Sequence, residues 1–177
     1  MNDLLFEFTE WLRSTQLTEL ALWMSDTSLT AWIGMTGIGD VTVIAILQCI
    51  HILAIAASFA SVLMINARIF GIAGHATLAE TSHRYTKVLW WSLAVLVLSG
   101  SLLIVGEPIR ELINPYFWIK MILVVVGMVV AVLFAKRLGR QGTTDAVGGG
   151  TKTTAIFLVI LWCMIMWCGR WIAYAPV

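Results

Sequence analysis

Charged residues are scarce in this sequence. Only 12% of its 177 residues are Asp, Glu, Lys or Arg, whereas 60% are apolar, and the mean hydropathy is +0.92. Soluble globular domains carry about 25% charged residues, so this composition excludes an ordinary soluble protein. The formal net charge of +1 leaves no basic surface of the kind that binds nucleic acid. We therefore expect a membrane protein without a nucleic-acid partner.

Cysteine is also rare, and the three cysteines form no CxxC pair. Cys49, Cys163 and Cys168 each lie within an apolar run. Isolated thiols at such positions provide neither a disulfide framework nor a thiol-exchange motif. The sequence also lacks an HExxH motif, and no serine, histidine and acidic residue fall at one depth. Hydrolytic catalysis is therefore not expected.

Four segments are long and apolar enough to cross a membrane. A helix needs about 20 residues to cross a hydrocarbon core of about 30 Å, and backbone groups in lipid must be hydrogen-bonded within the segment. The predicted fold is all-α: an integral membrane four-helix bundle with an N-terminal amphipathic interfacial helical arm. The predicted spans are residues 41–65, 88–105, 116–135 and 155–174.

Local patterns define how the spans begin, pack and connect. The third span begins at Asn114-Pro115, an N-cap residue followed by proline at the first helical position. The connector at 141–150 is rich in glycine and polar residues, which predicts a flexible segment. Small residues on one side of the first span favour close helix packing; they are Ala54, Ala57, Ser58 and Ser61.

Residues 1–40 form the predicted arm, and residues 41–177 form the bundle. Apolar residues recur in the arm from Leu4 to Leu12 with helical spacing, and a second short helix is expected from Leu17 to Met24. The arm lacks the basic region, apolar core and cleavage site of a secretory signal, so we expect it to remain in the mature protein. Its tryptophans and short helices favour a position on the membrane surface.

Lys and Arg are distributed unevenly between the two ends of the predicted spans. Short cytoplasmic loops retain cations, which predicts that the first-to-second and third-to-fourth connections are cytoplasmic. Both termini are then periplasmic in a bacterial inner membrane. The cations that flank these two connections are Arg68, Arg84, Lys87, Lys136, Arg137, Arg140 and Lys152.

His51 is the main candidate for a functional residue. Counting ten residues from Val41 at 1.5 Å per residue places it about 15 Å inside the membrane, near the midplane. An imidazole at that depth needs a polar partner or a functional reason. Two interpretations remain open: a neutral histidine hydrogen-bonded to a neighbouring helix, and an axial ligand of a haem or a transition metal.

The other two histidines are not expected to share a haem with His51. His83 lies at the cytoplasmic entry of the second span, about 20 Å from His51 along the helix axis. His75 lies on the same side in a glycine-containing loop, where a solvated side chain is expected. The roles of both stay open, and His83, followed by Arg84 and Lys87, can bind acidic headgroups.

Soft and cationic residues accompany His51 in the predicted bundle. Met164 and Met128 fall near its depth, and methionine either ligates haem iron and monovalent copper or fills gaps in a core. Lys120 and Arg170 lie within a turn or two of the outer helix ends. They either extend to the interface or hold acidic groups such as haem propionates.

Several stretches resemble a family of small bacterial inner-membrane proteins of unassigned function. They read IHILAIAASFASVLMINARIFGIAG, KVLWWSLAVLVLSGSLLIVGEP, NPYFWIKMILVVVGM and GRWIAYAP. That family is distantly similar to copper-resistance D-type membrane proteins and to b-type cytochrome bundles, in which a histidine of the first helix faces the interior. The second span departs from that pattern because it has no histidine. The positions that match the pattern are His51, Arg68, Gly100, Pro108, Asn114, Phe117 and Lys120.

Two functional hypotheses follow from the residues and the resemblance. The first is a membrane b-type haem protein for electron transfer or for anchoring a redox complex, in which His51 binds haem b and Lys120 and Arg170 face the propionates. Its partners are then a quinone or a redox protein. The alternative is a copper-handling or small-solute transport protein that uses His51 with Met128, Met164, Cys163 or Cys49. A structural or assembly subunit in a homo- or hetero-oligomer is the third possibility. The sequence leaves open whether the chain is an enzyme and favours an electron carrier or a subunit over a catalyst.

Overall fold

A computed structural model describes residues 2–35, 37–38, 41–72, 77–140, 148–172 and 174. A two-residue antiparallel pairing of β1 (Gly37–Ile38) with β2 (Val41–Thr42) leads into the bundle. Within the described ranges the helices are α1 (Asn2–Arg13), α2 (Gln16–Ser25), α3 (Ser28–Met35), α4 (Val43–Ile69), α5 (Leu78–Gly106), α6 (Pro108–Leu112), α7 (Pro115–Arg140) and α8 (Gly149–Trp171).

Four of these helices are long and apolar enough to cross a membrane, which confirms the predicted four-helix membrane bundle. They are α4, α5, the part of α7 from Pro115 to Leu138, and α8. α4 packs along α5, α7 packs along α8, and contacts of α4 with α8 and of α5 with α7 close the ring. α4 and α7 therefore lie diagonally across the bundle, so side chains from both can meet in its interior.

The helices extend beyond the apolar runs that predicted them. α5 begins at Leu78 rather than at residue 88 because Thr77 and Glu80 form a capping box. The Thr77 amide donates to the Glu80 carboxylate at 3.0 Å, and the Glu80 amide donates to the Thr77 hydroxyl at 3.3 Å. α8 likewise begins at Gly149 rather than at residue 155. Only residues 148–150 of the predicted connector fall within the described part of the chain.

Small side chains on α4 allow a tryptophan to fill the centre of the bundle. Ala54, Ser58 and Ser61 are buried, which confirms the predicted small-residue side of α4. The Trp162 indole N–H of α8 donates to the Ser58 hydroxyl at 3.2 Å. On α7, a Cβ at Gly127 would lie 3.1 Å from the Trp162 ring, so the ring packs directly against the helix backbone.

The N-terminal arm packs over the outer end of the bundle, the end at which α4 begins. α1 contacts α7, α2 contacts α6, and α3 contacts α4 and α5. Leu12, Ala21 and Ile33 are buried by these contacts, whereas Leu4 and Trp11 are exposed. One side of the arm therefore rests on protein. α2 confirms the second predicted helix, and the position of the arm on the membrane surface stays a prediction.

Candidate functional site

His51 is partly buried and lies in the outer half of α4. α4 begins at Val43 and has 27 residues, so His51 lies about 12 Å from the helix start and about 7 Å outward from its midpoint at 1.5 Å per residue. The predicted position of His51 near the membrane midplane stays a prediction. The side chain lies beside α5, whose polar and small residues at that level accommodate it.

Ser99 of α5 fixes the protonation pattern of the His51 ring. His51 Nδ1 lies 2.8 Å from Ser99 Oγ, and Ser99 Oγ donates its own proton to the Val95 carbonyl at 2.6 Å. A hydroxyl has one proton to donate, so Nδ1 must be the donor to Ser99. In a neutral imidazole the other nitrogen, Nε2, then carries a lone pair that is free for a metal or another donor.

Gly100 gives the His51 ring room against α5. A Cβ at this position would lie 3.3 Å from His51 Cε1, which is closer than ordinary carbon contacts of 3.5–4.0 Å. A larger residue here would push the ring away from Ser99. The Ser99-Gly100 pair therefore combines a hydrogen-bond partner with a close approach of the two helices.

Lys120 reaches the same region from the diagonally placed α7. Its Nζ would lie 3.7 Å from a Cβ at Gly169 of α8, so the side chain runs along the α8 backbone. Its charge acts on His51, Glu111 and Cys168. Groups from opposite sides of the bundle are thereby electrostatically linked across its interior.

Glu111 of the short helix α6 is the acidic member of this group. Burial raises the pKa of its carboxyl above the ordinary value of 4.5, and the positive charges of Lys120 and Arg110 oppose this rise. A partly buried cation is costly unless an opposite charge lies near it, so Glu111 balances Lys120. We call the following residues the outer polar cluster: His51, Ser99, Glu111, Lys120 and Cys168.

Asn114 ties the outer ends of α7 and α8 together beside the cluster. Its side chain is fully buried. Nδ2 donates to the Ile172 carbonyl at 3.2 Å, and Oδ1 accepts from the Tyr116 amide at 3.0 Å. The second contact is an N-cap, which confirms the helix start predicted from Asn114-Pro115.

Arg170, the other predicted cofactor-binding cation, lies outside the cluster. It is exposed, and its guanidinium donates to the Tyr174 hydroxyl and lies over the Tyr174 ring at 4.8 Å from the centroid. The Arg170 guanidinium thus contacts Tyr174, and its predicted pairing with Lys120 stays a prediction.

The predicted methionine ligands also lie away from the cluster. Met164 is 49% exposed on α8. Met128 lines a cavity at the inner end of the bundle together with residues such as Asn66 and Phe134. Among the residues that the structure describes, no three His, Cys, Asp or Glu side chains form a group that could hold a metal ion.

His83 is remote from His51, as the sequence predicts. It is exposed on α5 and lies sixteen residues before Ser99, which corresponds to about 24 Å along the helix. His75 lies outside the described residues. Of the cysteines, Cys49 and Cys163 are exposed and Cys168 is buried.

Sequence reasoning missed Ser99 and Cys168 as neighbours of the predicted site. Ser99 carried a detectable signal, because a serine within an apolar span is a polar group in lipid and lies at the depth of His51 when counted inward from Gly106. Cys168 carried none, since apolar runs commonly contain an isolated cysteine.

The fold and the outer polar cluster define a multi-pass helical membrane protein with ionisable side chains inside its bundle. A family model described as a family of unknown function (DUF6644) matches residues 21–175, and the chain belongs to that family. This confirms the resemblance to a family of unassigned function, whereas the distant similarity to copper-resistance and cytochrome proteins stays a prediction. None of the curated proteins and none of the solved structures matches the chain.

Proposed function

We propose that the outer polar cluster binds haem b and that the chain transfers electrons within the membrane or anchors a redox complex there. The observation that supports this most is the 2.8 Å hydrogen bond between His51 Nδ1 and Ser99 Oγ, because it leaves Nε2 as a potential iron ligand. Haem b supplies one-electron chemistry when bound. A quinone or a redox protein is the proposed electron partner.

Four residues of the cluster have a task in this proposal. His51 presents Nε2, and Ser99 holds the ring orientation, as hydrogen-bonded neighbours of metal-binding histidines do. Lys120 offers a cation to a propionate, and Glu111 neutralises Lys120 when no acidic ligand is present. The N-terminal arm covers the outer end of the bundle and limits the access of water.

The cluster offers donor groups that suit haem, whereas the cavities described by the structure lie elsewhere in the bundle. His51 lines neither the cavity at the inner end of the bundle nor the groove bounded by His83, Arg84 and Lys87. His51 would hold the iron, and Lys120 would hold a propionate. Arg170, Met128 and Met164 are left out because of where they lie.

Substituting His51 with alanine is expected to remove the haem. Protein purified from haem-replete cells should show a porphyrin absorption spectrum at about one haem per chain, and His51→Ala should lose nearly all of it because the iron loses its ligand. The matched control is His83→Ala, which removes an exposed histidine and should retain the spectrum. A colourless wild-type preparation, or an unchanged spectrum in His51→Ala, would refute the proposal.

Copper handling or small-solute transport is the alternative, and one observation favours it. Cys168 of α8 is a buried thiol, and the Lys120 side chain passes beside it along the α8 backbone at Gly169. Thiolate and imidazole together suit copper. Elemental analysis of the same purified sample decides: stoichiometric copper without a porphyrin spectrum selects this alternative, and neither metal nor haem selects a structural or assembly subunit.

We further propose that the chain lies in a bacterial inner membrane with both termini in the periplasm. The distribution of cations between the connections supports this. In a cysteine-free background, Gln16→Cys and Glu19→Cys should react with an impermeant thiol reagent in intact cells, whereas Gly149→Cys and Thr153→Cys should be protected. All four positions are exposed, so a difference in labelling reports sidedness. The reverse pattern would invert the topology.

A further inference from the structure

A groove on the lipid-facing surface between α4 and α5 has features that the proposed function does not use. It has a volume of about 710 Å³. Its floor consists of the small residues Ala54, Ala57 and Ser92, and the Ser92 hydroxyl is already satisfied by the Val88 carbonyl at 2.8 Å. The floor is therefore apolar. Larger side chains form the walls: Ile50, Leu53, Val88, Trp91 and Val95.

Positive charge is confined to one end of this groove. The cations Arg84 and Lys87 line it near the start of α5 beside the imidazole of His83, and all three side chains are exposed. Within the part of the chain that the structure describes, Arg84 and Lys87 have no ion-pair partner. Their charges are therefore available to a ligand from outside the chain.

The length of the groove matches one leaflet of a membrane. From His83 to Val95 it runs twelve residues along α5, which is about 18 Å at 1.5 Å per residue. One leaflet contributes about 15 Å of hydrocarbon. An amphiphile whose charged group lies at Arg84 and Lys87 would thus place its chain along the apolar floor, ending near the level of Ile50.

We propose that this groove binds one acidic phospholipid, with the phosphate at Arg84 and Lys87 and an acyl chain between α4 and α5. Charge complementarity selects the acidic headgroup, because each Lys or Arg near the surface attracts anionic lipid by about 1 kcal/mol. An acyl chain fits the groove because the groove runs about 18 Å along α5, close to the depth of one leaflet. Trp91, in the wall of the groove, would contact this acyl chain.

Native mass spectrometry of the full chain in detergent tests this, with phosphatidylglycerol and phosphatidylcholine of identical acyl chains as probes. The wild type should bind one phosphatidylglycerol with about 30-fold preference over phosphatidylcholine, the factor expected from two cations. The double variant Arg84→Gln, Lys87→Gln should lose that preference. Ala57→Leu, which fills the floor without changing charge, should weaken the binding of both lipids.

The matched control is the double variant Lys136→Gln, Arg137→Gln, which removes two exposed cations at the same end of the bundle but outside the groove. It should bind both lipids as the wild type does. Equal losses in the two double variants would show a general charge effect and overturn the proposal. Binding of soluble glycerol phosphate as tight as that of the lipid, or full lipid binding in Ala57→Leu, would also overturn it.

Discussion

Replacing Trp162 with alanine should lower the free energy of unfolding by about 3–5 kcal/mol, the range for truncating a buried tryptophan. The ring is 6% exposed and packs among the residues of the bundle core. Its removal leaves a cavity at the meeting point of α4, α7 and α8. It also removes the donor to Ser58. The measurement is unfolding in mixed micelles of increasing denaturing-detergent fraction, followed by circular dichroism.

Trp167 provides the control on the same helix. It is 63% exposed, so Trp167→Ala should change the free energy of unfolding by no more than about 0.5 kcal/mol, as is usual for surface positions. Trp162→Phe separates packing from hydrogen bonding and should cost about 1 kcal/mol from the lost hydrogen bond, plus a smaller packing loss. Equal effects of the two alanine substitutions would contradict the packing described for the bundle core.

The bundle itself could be predicted from the sequence because the physical constraint is strong. Backbone groups in lipid must be satisfied within each segment, so a long apolar run leaves a helix as the only structure available. The same constraint does not show whether a helix continues into the polar residues outside the lipid. The first ten residues of α5 were missed for that reason, although the capping-box pattern of Thr77 and Glu80 was present in the sequence.

The candidate site was predictable residue by residue but not as an arrangement. Depth counting brought out His51 and Lys120, because polar groups are costly in lipid. Counting cannot show which direction a side chain takes around its helix. Arg170 lies near the depth of Lys120 yet turns to Tyr174, and Met164 lies on an exposed surface of α8. Helix rotation depends on packing between spans, which short apolar patterns do not encode.

The N-terminal arm shows a similar limit. Its periodicity predicted helices with one apolar side, and an apolar side can rest on either lipid or protein. The structure places Leu12 and Ala21 against protein. Ala21 packs with Leu112, Phe117 and Ile172 at the outer end of the bundle. The arm thus shares a small apolar core with the helix ends that carry Glu111 and Asn114.

Replacing Asn114 with leucine should lower the free energy of unfolding by about 2–6 kcal/mol, because two backbone groups lose their partners at about 1–3 kcal/mol each. Leucine has a similar size, so the change reports hydrogen bonding rather than volume. The lost bonds are those to the Ile172 carbonyl and from the Tyr116 amide. The first of these bonds joins α7 to the end of α8, close to Lys120, so under the proposed function the haem content should fall as well.

The same substitution at Asn66 should have the opposite effect on stability and serves as the control. It is also buried, but Nδ2 donates only to the Val62 carbonyl of its own helix at 2.8 Å, and Oδ1 has no partner among the described residues. Asn66→Leu removes an unsatisfied oxygen and adds apolar surface to the inner cavity, so stability should be unchanged or higher.

Both variants are compared by the same detergent unfolding assay. If Asn66→Leu destabilised the protein as much as Asn114→Leu, the effect would come from the loss of any buried amide rather than from the link between α7 and α8.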